Sequence, residues 1–217
     1  MIQHLLFDLD GTLTDPALGI TNSVMYALEK FGIRVSDRQE LYSFIGPPLI
    51  DSFMEFYGFT HENATDALSY YREYFSSAGI FENSVYEGIP DMLDSLKEDG
   101  KKIYLATSKP LLFAEKILRH FDLYKYFDGV YGASMDEKMN KKDQVIAYIL
   151  DKESISPDTA CMIGDRKFDI EGGKCFGLAT VGVTFGYGDK KELCNAGADH
   201  IAHDVAELKN ILLNKIN

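Results

Sequence analysis

The sequence predicts an α/β fold in which helices cover both faces of a parallel sheet, with an all-helical segment inserted after the first strand. Short apolar runs alternate with segments of helical periodicity over residues 85–217. Parallel strands need a crossover connection, so this alternation is typical of parallel sheets. An apolar run opens the chain, whereas residues 16–84 show only helical periodicity. We therefore expect residues 1–15 and 85–217 to form one domain and residues 16–84 to form another.

The first predicted strand covers residues 3–9, and the helical segment after it carries two apolar stripes that each end at a glycine. Apolar side chains spaced by three or four residues share one face of a helix. The stripes are Ile20, Val24, Ala27 or Leu28, and Phe31 before Gly32, and then Ala64, Ala67, Leu68, Tyr71, Phe75 and Ala78 before Gly79. Between them, Gly46-Pro47-Pro48 predicts a turn, and a helix follows over residues 49–57.

Helices and strands alternate in the rest of the chain. We predict helices over residues 90–98 and around residues 145–150, and another that begins at Pro110, because proline suits the first turn of a helix. The predicted strands cover residues 102–107, 130–133, 160–164, 179–183 and 200–202. The carboxyl ends of parallel strands meet at one edge of the sheet, which is where such folds bind ligands.

Composition and charge limit the classes of function. The chain has 217 residues, with 22 basic and 34 acidic side chains and a formal net charge of −12. So acidic a protein is a poor candidate for binding nucleic acid or an anionic membrane surface. No apolar run approaches the length of a membrane span and no secretory signal is visible, so we expect a cytoplasmic protein. Its three cysteines lack the spacing of a zinc site or a disulfide framework.

Polar side chains follow several of the predicted strands. Asp8 and Asp10 stand at the end of the first strand, where side chains two positions apart share a face. Like charges held together cost stability unless a cation or a reaction uses them. Thr107 with Ser108, and then Asp165, follow two later strands. Three strand ends with polar groups on one edge indicate a site more strongly than any one of them alone.

These residue types suit phosphoryl transfer, which needs a nucleophile, a cation, donors to the phosphate oxygens and an acid for the leaving group. Asp8 could be the nucleophile and form an aspartyl-phosphate. Asp10 could protonate the leaving oxygen and then accept a proton from the hydrolytic water. Carboxylates of Asp8, Asp165 and Asp169 are the hard oxygen ligands that Mg²⁺ prefers.

Further residues are candidates for binding the phosphate. Thr107 and Ser108 supply hydroxyl and amide donors, and a lysine near this edge would supply a positive charge. Gly11 would let the backbone leave the strand close to the phosphate without a side chain in the way. Phe185-Gly186-Tyr187-Gly188 is compatible either with part of this edge or with a simple turn.

The segment Asp8-Leu9-Asp10-Gly11-Thr12-Leu13 resembles the first motif of the haloacid dehalogenase superfamily in its phosphatase form. Residues 105–110 resemble the second motif and residues 163–170 the fourth, so the resemblance covers essentially the whole chain. It implies a Rossmann-like core and a helical cap formed by residues 16–84. It also implies a Mg²⁺ site in which Asp165 binds the metal directly and Asp169 supports it from behind, with Thr107 binding the phosphate. The candidate metal-binding residues are thus Asp8, Asp10, Asp165 and Asp169.

The third motif of the superfamily contributes a lysine, and this chain offers Lys141 and Lys142. In similar phosphatases the lysine precedes the first Val-Ile pair of a helix by three residues. Here that pair is Val145-Ile146, which favours Lys142 and leaves Lys141 as the alternative.

The segments Ile45-Gly46-Pro47-Pro48-Leu49 and Gly88-Ile89-Pro90 resemble the phosphoglycolate phosphatase branch. The resemblance implies hydrolysis of a small phosphorylated metabolite, either phosphoglycolate-like or a nucleoside 5'-monophosphate. A phosphomutase of the same superfamily and a non-catalytic phosphate-ester binding protein stay open as alternatives. The long helical insert argues against a signalling receiver domain, and the second aspartate, Asp10, argues against a dehalogenase.

Overall fold

A computed structural model describes residues 1–136 and 139–216 and divides the chain into two compact units. One unit contains residues 1–15 and the chain from residue 85 onward, and the other contains residues 16–84. Among the described residues, no helix combines the length and apolar composition that crossing a membrane would require.

The strands are β1 (His4–Phe7), β2 (Thr14–Asp15), β3 (Ser84–Val85), β4 (Lys102–Pro110), β5 (Gly129–Ala133), β6 (Ala160–Gly164), β7 (Ala179–Val183) and β8 (His200–Ala202). Six of them form a sheet in the order β5-β4-β1-β6-β7-β8, and each recorded pair is parallel. The predicted parallel sheet is therefore confirmed. β2 and β3 lie where the chain passes from one unit to the other.

The smaller unit contains helices α1 (Ala17–Lys30), α2 (Leu49–Tyr57) and α3 (His61–Ser77). The larger unit contains α4 (Ile89–Glu98), α5 (Leu111–His120), α6 (Lys142–Lys152), α7 (Lys167–Cys175), α8 (Lys190–Asn195) and α9 (Val205–Asn214). Short 3-10 helices cover Arg38–Phe44, Gly79–Phe81, Tyr124–Tyr126 and Pro157–Thr159.

The central strand β1 is hydrophobic along its length because both of its faces are covered. Leu5, Leu6 and Phe7 are each 0% exposed. A strand buried on both faces loses the alternation of polar and apolar residues, as expected in a parallel sheet. The strand ends at Phe7 rather than Leu9, because the carbonyl of Leu9 accepts hydrogen bonds from the amides of Leu13 and Thr14 in a turn.

The smaller unit is built around the contact between α1 and α3. All but the last residue of each predicted apolar stripe lie in these helices and are buried, whereas Phe31 and Ala78 follow the helices as C-cap residues. The chain approaches itself closely where Gly19 of α1 meets Gly79: a Cβ atom on Gly19 would lie 1.9 Å from the carbonyl oxygen of Gly79. Glycine is therefore required at position 19 by packing.

Candidate active site

The candidate site residues lie at the carboxyl ends of three neighbouring strands, β4, β1 and β6. β1 lies between β4 and β6, and Phe7 is paired with Leu105 on one side and Ile163 on the other. The amide of Asp8 donates a hydrogen bond to the carbonyl of Ile163 at 2.9 Å, which continues this alignment by one residue. The residues that follow therefore emerge side by side from the carboxyl ends of the three strands.

Three buried carboxylates meet at this edge. Oxygen atoms of Asp8, Asp165 and Asp169 all lie within 4.8 Å of one another. These residues are 6%, 0% and 1% exposed, respectively. Asp8 follows β1, Asp165 follows β6, and Asp169 belongs to the first turn of α7, where its Oδ2 atom accepts a hydrogen bond from the amide of Arg166 at 3.0 Å.

Lys142, the first residue of α6, reaches into this group. Its Nζ atom lies 2.8 Å from Oδ1 of Asp8 and 2.8 Å from Oδ1 of Asp169. It also donates a hydrogen bond to the carbonyl of Ala106 at 2.8 Å. Lys141 is exposed, so of the two candidate lysines it is Lys142 that lies among the carboxylates.

Burial dominates the electrostatics of the group. It raises the pKa of Asp165 well above the ordinary range, and the nearby Asp169 and Asp8 raise it further. Burial also raises the pKa of Asp169 to about 6, although Lys142 opposes this shift. Burial disfavours the charge of Lys142 as well, but Asp169 and Asp8 together raise the pKa of its ammonium group to about 12. Lys142 thus stays charged and offsets one of the three carboxylates.

The carboxylate of Asp10 lies outside this group of three. Its Oδ2 atom accepts a hydrogen bond from Nζ of Lys109 at 2.5 Å, and the two side chains are 12% and 6% exposed. Burial raises the pKa of Asp10, while Lys109 acts in the opposite direction. The sequence hypothesis gave Asp10 two roles, and this placement favours the proton-transfer role over metal binding through the side chain.

The candidate phosphate-binding residues lie around the same strand ends. Thr107 is 2% exposed, and its Oγ1 atom accepts a hydrogen bond from the amide of Lys109 at 3.2 Å. Ser108 is half-buried. Gly11 has a φ of 80°, and a Cβ atom there would lie 2.1 Å from Oδ2 of Asp165. Glycine is therefore needed at position 11 to let Asp165 approach, a reason that the sequence alone did not reveal.

Sequence reasoning left the segment 185–188 undecided, and the structure packs it against Asp165. The amide of Tyr187 donates a hydrogen bond to Oδ2 of Asp165 at 2.8 Å, and the Tyr187 hydroxyl donates one to Asp15. A Cβ atom on Gly186 would lie 2.2 Å from the carbonyl oxygen of Gly11. The available signal was an aromatic residue between two glycines directly after a strand.

The donor set fits a divalent cation of the magnesium type. Carboxylate oxygens are the ligands that Mg²⁺ prefers, and no soft ligand is found within this group of three. The Oδ1 atom of Asp165 is buried and has no hydrogen-bond partner in the described part of the chain. Buried polar atoms are normally satisfied, so an unpartnered carboxylate oxygen beside the acids Asp8 and Asp169 is compatible with a bound cation.

The chain is similar to known proteins that are described as hydrolases and phosphatases. A family model described as haloacid dehalogenase-like hydrolase matches residues 5–183. A 5'-nucleotidase from Pseudomonas aeruginosa is 43% identical over 209 residues, which cover 96% of this chain and 95% of that protein. A crystal structure of a predicted phosphatase from Clostridium acetobutylicum is 50% identical, with a TM-score of 0.96, and the match covers 98% of this chain and 99% of that one.

Two further relatives are named for other activities. The tyrosine-protein kinase PtkA of Mycobacterium tuberculosis is 37% identical over 186 residues, which cover 86% of this chain but 63% of that protein. A phosphoglycolate phosphatase of Vibrio parahaemolyticus is 23% identical over 219 residues, which cover 97% of this chain and 96% of that protein.

Proposed function

Because the chain belongs to the haloacid dehalogenase-like hydrolase family and is a phosphatase of that family, we propose that it hydrolyses a small phosphate monoester in a magnesium-dependent reaction. The observation that carries the proposal is the group of three buried carboxylates, Asp8, Asp165 and Asp169, at the carboxyl ends of β1 and β6. An acidic protein can accept a phosphate there if a cation and Lys142 reverse the local charge.

In the proposed first step, a carboxylate oxygen of Asp8 attacks the phosphorus atom. A bond between that oxygen and phosphorus forms while the bond between phosphorus and the ester oxygen breaks. Asp10 gives its proton to the leaving oxygen, so the alcohol departs neutral. Lys142, whose Nζ atom lies 2.8 Å from Oδ1 of Asp8, would bind a phosphate oxygen during the transfer. Thr107, Ser108 and the backbone turn at Gly11 would complete the phosphate site.

In the second step, water attacks the phosphorus atom of the aspartyl-phosphate. The Asp10 carboxylate takes a proton from that water, the bond between Asp8 and phosphorus breaks, and inorganic phosphate leaves. A bound Mg²⁺, held by Asp8, Asp165 and Asp169, would supply positive charge that neutralises the phosphate oxygens. Asp10 ends protonated, ready for the next ester.

We propose a nucleoside 5'-monophosphate as the substrate, ahead of phosphoglycolate. The support is that the relative named 5'-nucleotidase is 43% identical and covers 96% of this chain, whereas the phosphoglycolate phosphatase is 23% identical. We also propose that residues 1–15 and 85–217 carry out the chemistry and that the helical unit, residues 16–84, is the cap that selects the leaving group.

The test is a measurement of free phosphate released from AMP, phosphoglycolate and 4-nitrophenyl phosphate. We expect turnover with MgCl2, loss of turnover when EDTA is in excess over the metal, and recovery when MgCl2 is restored. Of the two metabolites, AMP should show a higher kcat/KM than phosphoglycolate. Turnover that ignores EDTA would contradict the metal dependence. Phosphate transfer between sugar positions with little free phosphate would favour the phosphomutase instead.

A further inference from the structure

Lys109 lies in an irregular part of β4, directly after Thr107 and Ser108. Thr107 is paired with Gly132 of β5, but the next paired residues are Pro110 and Ala133. β4 therefore advances three residues while β5 advances one, and Ser108 and Lys109 form a bulge. Bulges re-aim side chains and are common next to active sites.

Two local contacts hold the backbone of Lys109 in this bulge. Its amide donates a hydrogen bond to Oγ1 of Thr107 at 3.2 Å. On the other side, a Cβ atom on Gly132 would lie 2.6 Å from the carbonyl oxygen of Lys109 and 3.0 Å from Cα of Leu111. The bulge therefore depends on a threonine hydroxyl and on the absence of a side chain at position 132.

The side chain of Lys109 contacts Asp10, which lies 99 residues earlier in the sequence. Nζ lies 2.5 Å from Oδ2 of Asp10, and the lysine side chain is 6% exposed. The other carboxylate oxygen, Oδ1, is buried and has no hydrogen-bond partner among residues 1–136 and 139–216. Oδ2 of Asp10 is thus bound by Lys109, whereas Oδ1 is available to hydrogen-bond a substrate or water.

We infer that Lys109 is a positioning residue that fixes Oδ2 of Asp10, so that Oδ1 is the oxygen that exchanges a proton with the leaving group and with water. This inference rests on the proposed function, in which Asp10 is the proton donor. In the first step the bond between Oδ1 and its proton breaks and a bond between the leaving oxygen and that proton forms. Lys109 itself gives up no proton and contacts no phosphate.

A competing role would have Lys109 bind the phosphate directly, as a second lysine beside Lys142. The two roles differ in what they depend on. A positioning lysine acts only through Asp10, so it matters most for poor leaving groups that need protonation. A phosphate-binding lysine would matter equally for every ester, with or without Asp10, and would change KM.

The experiment measures K109M in the wild-type and D10N backgrounds, with AMP and 4-nitrophenyl phosphate as substrates. For K109M alone we expect kcat/KM to fall about thirty-fold with AMP and about three-fold with the aryl ester, carried by kcat rather than KM. In the D10N background, K109M should add less than about a two-fold loss with AMP, because the residue through which it acts is already disabled.

Equal losses with both esters, a raised KM, or an unchanged loss in the D10N background would each overturn the inference. The matched control is K116M, which removes an exposed lysine of α5 and should leave kcat/KM unchanged. G132A provides a second variant that keeps the lysine but crowds its carbonyl, and it should reproduce the leaving-group pattern of K109M. An identical effect of G132A on both esters would contradict the positioning role.

Circular dichroism and thermal unfolding of each variant confirm that the fold is intact. The outcome for Lys109 is separable from that for the proposed function. If the wild type releases no phosphate from any ester, then the proposed function fails. If D10N affects AMP and the aryl ester equally, then the proposed acid role of Asp10 fails. If both behave as proposed and K109M does not, then only the role of Lys109 fails.

Discussion

Carboxylates at the two ends of the sheet have opposite surroundings. At the amino ends of β4 and β5, Asp128 is 2.7 Å from Nζ of Lys97 and 3.1 Å from Nζ of Lys102, and it accepts a hydrogen bond from the amide of Ile103 at 2.9 Å. Burial works against its charge, but these three donors hold the pKa of Asp128 below its ordinary value.

Asp199, at the amino end of β8, shows the same arrangement. It is paired with Lys174 and accepts hydrogen bonds from the amide and the hydroxyl of Thr180. Despite its partial burial, these partners also lower the pKa of Asp199. At the carboxyl ends, by contrast, burial raises the pKa values of Asp10, Asp165 and Asp169.

The contrast distinguishes acids that have ion-pair and hydrogen-bond partners within the chain from the acids of the proposed cation site. Asp128 and Asp199 each have several hydrogen-bond and ion-pair donors within the chain, so their charges are balanced without a bound ligand. The group at Asp8, Asp165 and Asp169 has Lys142 and some backbone amides, and the proposed cation would offset its remaining negative charge. Substitutions at the two ends of the sheet should therefore affect mainly different properties, activity at the carboxyl ends and stability at the amino ends, and by different amounts.

The largest expected effect is at Asp8. Asp8→Asn removes the proposed nucleophile, so phosphate release from 4-nitrophenyl phosphate should fall at least about a thousand-fold while the fold stays intact. Asp128→Asn, at the opposite end of the sheet, is the control and should keep kcat/KM within about two-fold. Full activity in Asp8→Asn would remove Asp8 from the proposed reaction.

Next in size is Asp10→Asn. Its kcat/KM should fall on the order of a hundred- to ten-thousand-fold with AMP but far less with 4-nitrophenyl phosphate, whose leaving group needs little protonation. Steady-state assays with both esters give the comparison. Parallel losses would show that Asp10 does not act as an acid.

A smaller and opposite pair of effects is expected on stability. In EDTA, Asp165→Asn should raise the free energy of unfolding by about 1 kcal/mol, because it removes a charge that burial and its neighbours disfavour. Asp128→Asn should lower the free energy of unfolding by about 1 kcal/mol, because it weakens hydrogen bonds to charged donors. Chemical denaturation at pH 7 measures both unfolding free energies. If the two substitutions changed the free energy of unfolding in the same direction, the distinction between the two ends of the sheet would be wrong.

The smallest effect concerns pH. The folded-state pKa of Asp128 is lowered, so its contribution to stability is full above the ordinary pKa of 3.8 and is lost as the pH falls through the folded value. The difference in unfolding free energy between wild type and Asp128→Asn should therefore be constant near neutral pH and shrink below 3.8. Denaturation series at pH 7, 5, 4 and about 3 test this. If the difference in unfolding free energy grew on acidification, the lowered pKa of Asp128 in the folded state would be contradicted.

Most of the fold could be predicted because local signals and the final structure agree. The bounds of α2, β6, β7 and β8 match the predicted ones, since glycines, prolines and short apolar runs mark them in the sequence. β4 is longer than predicted because its bulge carries the strand on to Pro110.

The positions of some candidate site residues could be predicted, because Asp8 and Asp165 directly follow strands and Lys142 begins a helix. The link between Lys109 and Asp10 could not, because it depends on a bulge and joins residues 99 positions apart. The support of Asp165 by Tyr187 was missed for a similar reason, since the conformation of a glycine-rich loop is set by tertiary packing.

The central claim is that the acids at the carboxyl ends of the strands form one cation site. Calorimetric titration of MgCl2 into the metal-free protein tests it most directly. We predict one ion bound per chain, with binding lost in Asp165→Asn and retained in Asp128→Asn. Absence of binding to the wild type, or equal binding to Asp165→Asn, would contradict the claim.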